Sequence, residues 1–561
     1  MLLRDYLIRN AESWPERQAF ASATATLTWG EVADRACRLA AALRRLGVRH
    51  GDVVACMSTD THEVVEAFYA SAIIGAVRTG IHYRYTAREA AHILRNSAAK
   101  VLLLEGGRAE ETFGQISELP PTLEHVVGFG DHHRSQDYER LLSDHEPLAA
   151  EDWPKLGPND LATIGYTSGS TGLPKGAVSA HGAVVAAALN TWSQAGLWHE
   201  DVMLNCISCL GGANIIFTGG NVFTGSKSVF LDRYSPQRFV ELVEREGVTV
   251  ALLVPTMMQD VLDAADLNRD GLRSIRLVIY GAAPATPSLI RRAISEFGCE
   301  LQQWYGSTEA TGGWTTILHH TEHLHALNGA PEILTSVGRP TLHTELRIVD
   351  DDGNELPRGQ IGTVAIRTQT LMNGYLDAPA ETAEVLRDGW LEIGDLGYQS
   401  EQGYLFIVDR KKFKIVTGGF NVYPVTVENV LAEHEAVSEV CVVGIPDERM
   451  GEAVCAVVVP AKQVDPAELA EFCRGRIASY AVPKRIDFVD SLPRNPAGKV
   501  LKRQVRERYY PDGGGPDGGG PDGGGPDGAA NCCDCANRES PVPALMYVAG
   551  SDEHPYSGLT R

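Results

Sequence analysis

Positive charge is scarce in this 561-residue chain: 50 Lys and Arg stand against 72 Asp and Glu, a formal net charge of −22. A surface of that sign repels polyanions, which argues against nucleic acid or an anionic membrane as the main partner. Long apolar runs are also missing, so no transmembrane segment is expected. The start Met1-Leu-Leu-Arg-Asp lacks the apolar core of a secretory leader, and the expected compartment is the cytoplasm. Paired cysteine spacings are absent from the body, where cysteines fall singly, as reduced buried thiols do. Cys532-Cys533-Asp534-Cys535 is the one cluster, but no second half of a zinc site lies near it.

What is present is a dense polar loop, Tyr166-Thr-Ser-Gly-Ser-Thr-Gly-Leu-Pro-Lys-Gly176, directly after the apolar run Leu161 to Ile164. Glycines let the backbone approach a ligand closely, and successive N–H groups form a concavity for anions. With its hydroxyls and one lysine, the loop suits the phosphate chain of a nucleotide. A Walker A loop needs Gly-Lys-Ser/Thr entering a helix, whereas Pro174-Lys175-Gly176 runs into Ala-Val-Ser, with a helix starting only near His181. That excludes a P-loop NTPase, and a plain Gly/Ser linker would not need Pro-Lys-Gly after a buried strand.

Around this loop the pattern predicts α/β architecture. A helix from Gly30 to Leu46, a buried strand Asp52 to Met57, a helix His62 to Ile74 and a strand-helix-strand unit to Leu104 alternate as in a parallel sheet flanked by helices. Further expected elements are the helix His181 to Trp192 and the strands Asp201 to Cys206, Val248 to Val254 and Ser274 to Tyr280. The glycine-rich stretch 211 to 225 either packs a helix tightly or leaves room for a ligand. Period-two alternation from Thr344 to Arg367 around Asp351-Asp-Gly353 predicts an antiparallel hairpin and a small β subdomain. After Asp409-Arg-Lys-Lys412 the pattern restarts as a compact α+β unit. From 511 to 561 the Pro-Asp-Gly repeats offer nothing apolar to bury, and the segment is expected to be disordered.

The loop at 166–176, Tyr305-Gly-Ser-Thr-Glu309, Gly394-Asp-Leu396, Asp409-Arg410 and Asn495-Pro-Ala-Gly-Lys499 stand in an order and spacing that resembles the adenylate-forming superfamily, over residues 1 to about 510. Within it the likeness lies nearest the AMP-dependent acyl-CoA synthetases, the long-chain fatty-acid ligases among them. The resemblance implies a large N-terminal adenylation domain over 1–409 and a small mobile lid over 410–510, hinged near Lys412. It implies that ATP and a carboxylic acid react to acyl-AMP and pyrophosphate, and that a thiol, usually that of coenzyme A, then displaces AMP.

Residue by residue, the resemblance places Thr167, Ser168, Gly169, Ser170, Thr171, Gly172 and Lys175 around the phosphates. Glu309 and Thr167 would hold Mg2+, a hard cation suited to oxygen ligands. Gly281, Ala282 and Ala283 would wall the adenine opposite Tyr305, with Gly306, Ser307 and Thr308 alongside. Asp395 would take the ribose hydroxyls, helped by Arg410. Lys499 would bridge the substrate carboxylate, the α-phosphate and the ribose. Catalysis would thus rest on Lys499, Glu309 and Lys175, and Gly418 and Gly419 would line the pantetheine channel.

Departures bear on the substrate. Where relatives carry an aromatic-His pair before two glycines, this chain reads Ile207-Ser208-Cys209-Leu210-Gly211-Gly212. Ser208, Cys209, Gly211 and Gly212, with Gly281 and Gly306, then frame a pocket expected to be roomy and apolar, fitting a long-chain or bulky acid, unless the glycines serve helix packing alone. Phe413 stands where an aspartate is common. Three rival readings remain open at this stage: a ligase that loads a carrier protein, a non-catalytic nucleotide-binding regulator, and a luciferase-like oxidation of the adenylate. A monomer or homodimer is expected.

Overall fold

The computed structural model describes residues 1–167, 173–208, 210, 215–264, 269–447, 449–494 and 500–510. The phosphate loop's centre at 168–172, Cys209, Gly211, Gly212, Lys499 and the tail from 511, with its cysteine cluster, lie outside the described residues.

Two large sheets carry the first 340 residues or so. In one, the strand Val53–Ser58 is buried along its whole length and sits between Val77–His82 and Val101–Glu105, both parallel to it. A strand covered on both faces must be apolar throughout, as Val-Val-Ala-Cys-Met is. In the other sheet Val202–Asn205, Val250–Leu253, Leu277–Gly281 and Glu300–Gly306 run parallel. The helices Trp29–Arg45 and His62–Ile74 fill the layer between the sheets: their apolar residues share one cluster with Phe20 and Phe230 of one sheet and Val54, Cys56 and Leu103 of the other. The first of them starts on a capping box, Thr28 Oγ1 accepting from Glu31 N at 3.2 Å and Glu31 Oε2 from Thr28 N at 2.8 Å.

The alternation predicted parallel pairing, and at two places the structure departs from it. Leu161–Thr167 pairs antiparallel with Lys175–Ala180, and Glu300–Gly306 pairs antiparallel with Trp314–Leu318. A short loop can join only antiparallel neighbours, since a parallel partner needs a crossover of about a dozen residues or more. The strands on either side of the glycine-rich loop, and those on either side of the Glu309 turn, are therefore hairpins. A smaller difference has a local cause: the strand expected from Ser274 begins at Leu277, because Arg269–Ser274 forms a 3-10 turn.

The helix Ile215–Thr224 lies against His181–Ala195, and a Cβ on Gly220 would come to 3.4 Å from Thr191 Cγ2. Close helix packing thus accounts for that glycine. The expected hairpin joins Thr344–Val349 to Gly362–Thr368, and Asp395–Gln399 and Leu405–Arg410 extend its sheet. Beyond residue 413 a further sheet forms on the long hairpin Val437–Asp447 and Gly451–Pro460. Its alternation buries both faces: Val442, Val454 and Ala456 in one cluster, Cys441, Val443 and Cys455 in the other. No described helix is long and apolar enough to cross a membrane.

Candidate active site

The neck of the glycine-rich hairpin, the Glu309 turn and the ends of the strands bearing Tyr305, Asp395 and Arg410 come together at the edge where the parallel strands finish, the edge at which open α/β sheets bind ligands. Register sets the arrangement. Thr167 faces Lys175 across the neck of the glycine-rich hairpin. The two-residue strand Gly374–Tyr375 pairs with the outer side of that hairpin, Tyr375 opposite Ala177. The Tyr375 ring lies 5.4 Å from Lys175 Nζ, and its hydroxyl donates to Glu309 Oε1 at 2.8 Å. Lys175, Tyr375 and Glu309 are thereby one group. The Glu309 turn is also fastened to the hairpin through Thr311 Oγ1, which donates to Ser179 Oγ at 2.9 Å in the interior.

A second group forms around Asp395, which is 5% exposed. Asp395 opens one strand and Arg410 closes its antiparallel partner, directly opposite in register. Asp395 Oδ1 lies 2.9 Å from Arg410 Nε, and Oδ2 accepts from the Tyr305 hydroxyl at 2.5 Å. The Asp395 carboxylate raises the Arg410 pKa. Burial, reinforced by that carboxylate, pushes the Tyr305 phenol well above its ordinary value. Glu309 contributes electrostatically to both Tyr305 and Arg410, so the two groups are neighbours.

Gly281 ends its strand beside Trp304, and any side chain there would collide with the Trp304 carbonyl, its Cβ 2.3 Å from that oxygen. The next residue, Ala282, is exposed and adopts φ 66°, a left-handed conformation unusual for a residue with a Cβ. Ala283 follows, half-buried. Gly306, Ser307 and Thr308 lead into the 3-10 turn that carries Glu309, and Ser307 Oγ caps it by accepting from Ala310 N at 3.3 Å.

Ser208 Oγ donates to Asp60 Oδ1 at 3.1 Å and accepts from Leu210 N at 3.2 Å, so it ties its own turn down. Lys412 lies in the 3-10 turn Lys411–Phe413. Gly418 and Gly419, at φ 56° and 83°, form an exposed two-residue turn between Ile415–Thr417 and Phe420–Val422, shortly after Arg410 in sequence.

The sequence motifs did not single out Tyr375. It lies in no glycine-rich or charged pattern, and only its pairing with the glycine-rich hairpin exposes its role. Nor did they single out Lys502, whose ammonium sits 3.0 Å from Glu428 Oε1 and 3.7 Å from Asp409 Oδ2.

Residues 7–376 match the family described as AMP-binding enzyme, and residues 426–499 match the AMP-binding enzyme C-terminal domain. A fatty acid–[acyl-carrier-protein] ligase, ScoC, of Streptomyces coeruleorubidus is 33% identical over 511 residues, covering 90% of this chain and 95% of its own. The medium/long-chain-fatty-acid–CoA ligase FadD8 of Mycobacterium tuberculosis is 33% identical over 515 residues, 87% and 86% of the two chains. Among solved structures, the amide bond synthetase McbA of Marinactinospora thermotolerans is similar at a TM-score of 0.80 and 32% identity, covering 90% of this chain and 99% of that one. On this match the chain belongs to the AMP-binding enzyme family.

Proposed function

We propose that this chain activates a carboxylic acid with ATP and passes the acyl group to the thiol of coenzyme A. The observation that carries the reading is the pair of adjoining groups just described, one joining the Lys175 cation at the neck of the glycine-rich hairpin to the Glu309 carboxylate through Tyr375, the other with a buried carboxylate held between a phenol and a guanidinium.

In the first half-reaction a carboxylate oxygen bonds to the α-phosphorus while the bond to pyrophosphate breaks. Two anions must meet, so positive charge and N–H groups have to face both of them. Residues 168–172 and Lys175 would hold the phosphates, and Lys499 would stand between carboxylate and α-phosphate. Asp395 suits two ribose hydroxyls, because a carboxylate accepts through both oxygens. Tyr305 and the 281–283 turn would flank the base. The donor set fits Mg2+: Glu309 spends one oxygen on Tyr375, and Thr167 stands at the neck of the hairpin to which the Glu309 turn is fastened. When bound, the ion would neutralise phosphate charge as pyrophosphate departs. In the second half-reaction the thiol sulfur bonds to the acyl carbon and AMP leaves with the bonding pair. A lysine crowding the α-phosphate would obstruct that thiol, so residues 410–510 would turn about Lys412 and bring Gly418 and Gly419 to the thiol's path.

The test is acid-dependent ATP–pyrophosphate exchange across aliphatic, aromatic and polycyclic acids, and silence with every acid would sink the reading. The likeness to ScoC favours a second acceptor. Supplying CoA, a phosphopantetheinylated carrier protein and a simple amine in parallel, then reading the acylated product by mass, separates the acceptors.

A further inference from the structure

Asn205 closes the strand Val202–Asn205 and is 1% exposed, yet neither its Oδ1 nor its Nδ2 has a hydrogen-bond partner among the described residues. Native chains seldom leave a whole carboxamide buried and unpaired, because folding strips its water without replacing it. Such a group has its partner delivered by something else.

Alternation along the strand shows which way it faces. Met203 belongs to a cluster with Leu252, Ile279, Trp304 and Trp314, while Leu204 belongs to the cluster on the opposite face. Asn205 therefore shares the face of Met203. Across the sheet Asn205 pairs with Leu252, Leu252 with Ile279 and Ile279 with Gln302. Gly281, beside Trp304, lies two residues past Ile279 on that face. Two strand spacings sideways and two residues along separate the Asn205 and Gly281 backbones by about 12 Å. The sheet face between them is apolar: Leu252 and Ile279, both buried in one cluster with Ala187 and Ala195 of the helix His181–Ala195, with the partly buried Ile207 against it.

The chain beyond Asn205 is pinned. Ser208 is bonded to Asp60, and Leu210 presses so closely on Gly80 of the other sheet that a Cβ there would meet the Leu210 carbonyl oxygen at 2.3 Å. The carboxamide thus stands at the end of a buried apolar sheet face that starts at the candidate nucleotide wall.

We propose that Asn205 is a specificity-determining residue and that the preferred substrate is a carboxylic acid whose apolar body carries a hydroxyl group remote from the carboxylate. A hydroxyl both donates and accepts, which matches the idle Oδ1 and Nδ2 of one carboxamide. This rests on the acid-activating reading above and narrows it. A site built to bond a substrate hydroxyl rejects the analogue lacking it far more strongly than an apolar pocket rejects one missing methylene.

The experiment compares kcat/KM for ATP–pyrophosphate exchange within matched pairs: para-hydroxycinnamic against cinnamic acid, and an ω-hydroxy fatty acid against its parent. In the full chain, one hydroxylated member is expected to be preferred by about tenfold or more. Asn205→Val should lower that member by about tenfold to a hundredfold and leave the parent acid unchanged or improved; Asn205→Ser should restore part of the preference. Retained activity on the parent acid certifies that the variant folds. Equal use of both members in every pair, or an equal fall in both on Asn205→Val, overturns the assignment while leaving acid activation intact. Silence with every acid overturns both together.

Discussion

Tyr305 and Asp395 share a 2.5 Å hydrogen bond although 90 residues separate them, and the other oxygen of that carboxylate is the one that meets Arg410. Asp395→Asn would leave the guanidinium without its counter-charge. Removing one partner of a buried pair costs about 3–5 kcal/mol, reduced here to about 2 kcal/mol because Arg410 is only half-buried. Tyr305→Phe removes one donor to that carboxylate, worth about 1.5 kcal/mol, and leaves the carboxylate's charge in place. Exchange activity and KM for ATP should therefore suffer more from Asp395→Asn than from Tyr305→Phe. The reverse order would show that the carboxylate does not engage the nucleotide.

Tyr375→Phe frees Glu309 Oε1 from its only described hydrogen bond. The carboxylate then swings, and the metal it would orient is held less well. At limiting Mg2+ the variant should need about fivefold more of the ion for half-maximal exchange, with little change at saturation, the effect of losing about 1 kcal/mol of positioning. An unchanged Mg2+ dependence would exclude Glu309 as a metal ligand.

Lys502 stands three residues after Lys499 and ties that segment to the strand bearing Arg410, through Asp409, and to the helix Pro424–Leu431, through Glu428. Burial opposes its charge, but the two carboxylates more than offset that and keep it protonated above the ordinary lysine range. Lys502→Met should loosen the segment and cut exchange by about tenfold or more, since two acids are left uncompensated. Lys502→Arg should restore most of it. Limited proteolysis of residues after 490 should follow the same order; equal resistance in all three proteins would discount the tether.

Lys499→Ala should separate the half-reactions. Exchange should fall by about a hundredfold or more, the loss seen when one donor to a developing charge is removed, whereas thioester formation from supplied acyl-AMP should persist. Equal loss in both assays would refute a lid that exchanges one arrangement for another.

Stability should fall in mild acid for a reason visible in two histidines. His323 is fully buried: Nδ1 donates to the His319 carbonyl at 2.9 Å, which in the neutral ring leaves Nε2 to accept from the Tyr280 hydroxyl at 2.8 Å. Burial lowers its pKa to about 4, and does the same for His181. Below an unfolded pKa near 6.5 the open chain takes up protons that the folded one refuses. Their stabilisation is complete above about pH 6.5 and is lost as pH falls toward about 4, at roughly 1.4 kcal/mol per pH unit for each ring. Melting temperature against pH should show this slope, and His323→Gln should reduce it.

Much of the fold can be read from apolar spacing. Val53–Ser58 and His62–Ile74 stand where the pattern puts them, because the strand and most of the helix are apolar and buried on every side. Motif-bearing residues such as Asp395, Tyr305 and Glu309 could be named, but not their pairing, which comes from registers set by distant strands. Antiparallel pairing at the two hairpins was missed because neighbouring βα units dominate the pattern. Tyr375 and Asn205 were invisible for a common reason: each owes its place to what lies across a sheet, and neither type stands out locally.

Asp409 and Arg410 are joined by one peptide plane, and the ion pairs they make point to different parts of the molecule: Arg410 to Asp395, Asp409 to Lys502. A shift of the Lys502 ammonium is thus passed to the Arg410 guanidinium through a single peptide bond. On the proposed reading, grip on the nucleotide and orientation of the cap would share a single fulcrum, and a substitution that slackens either arm should be felt at the other.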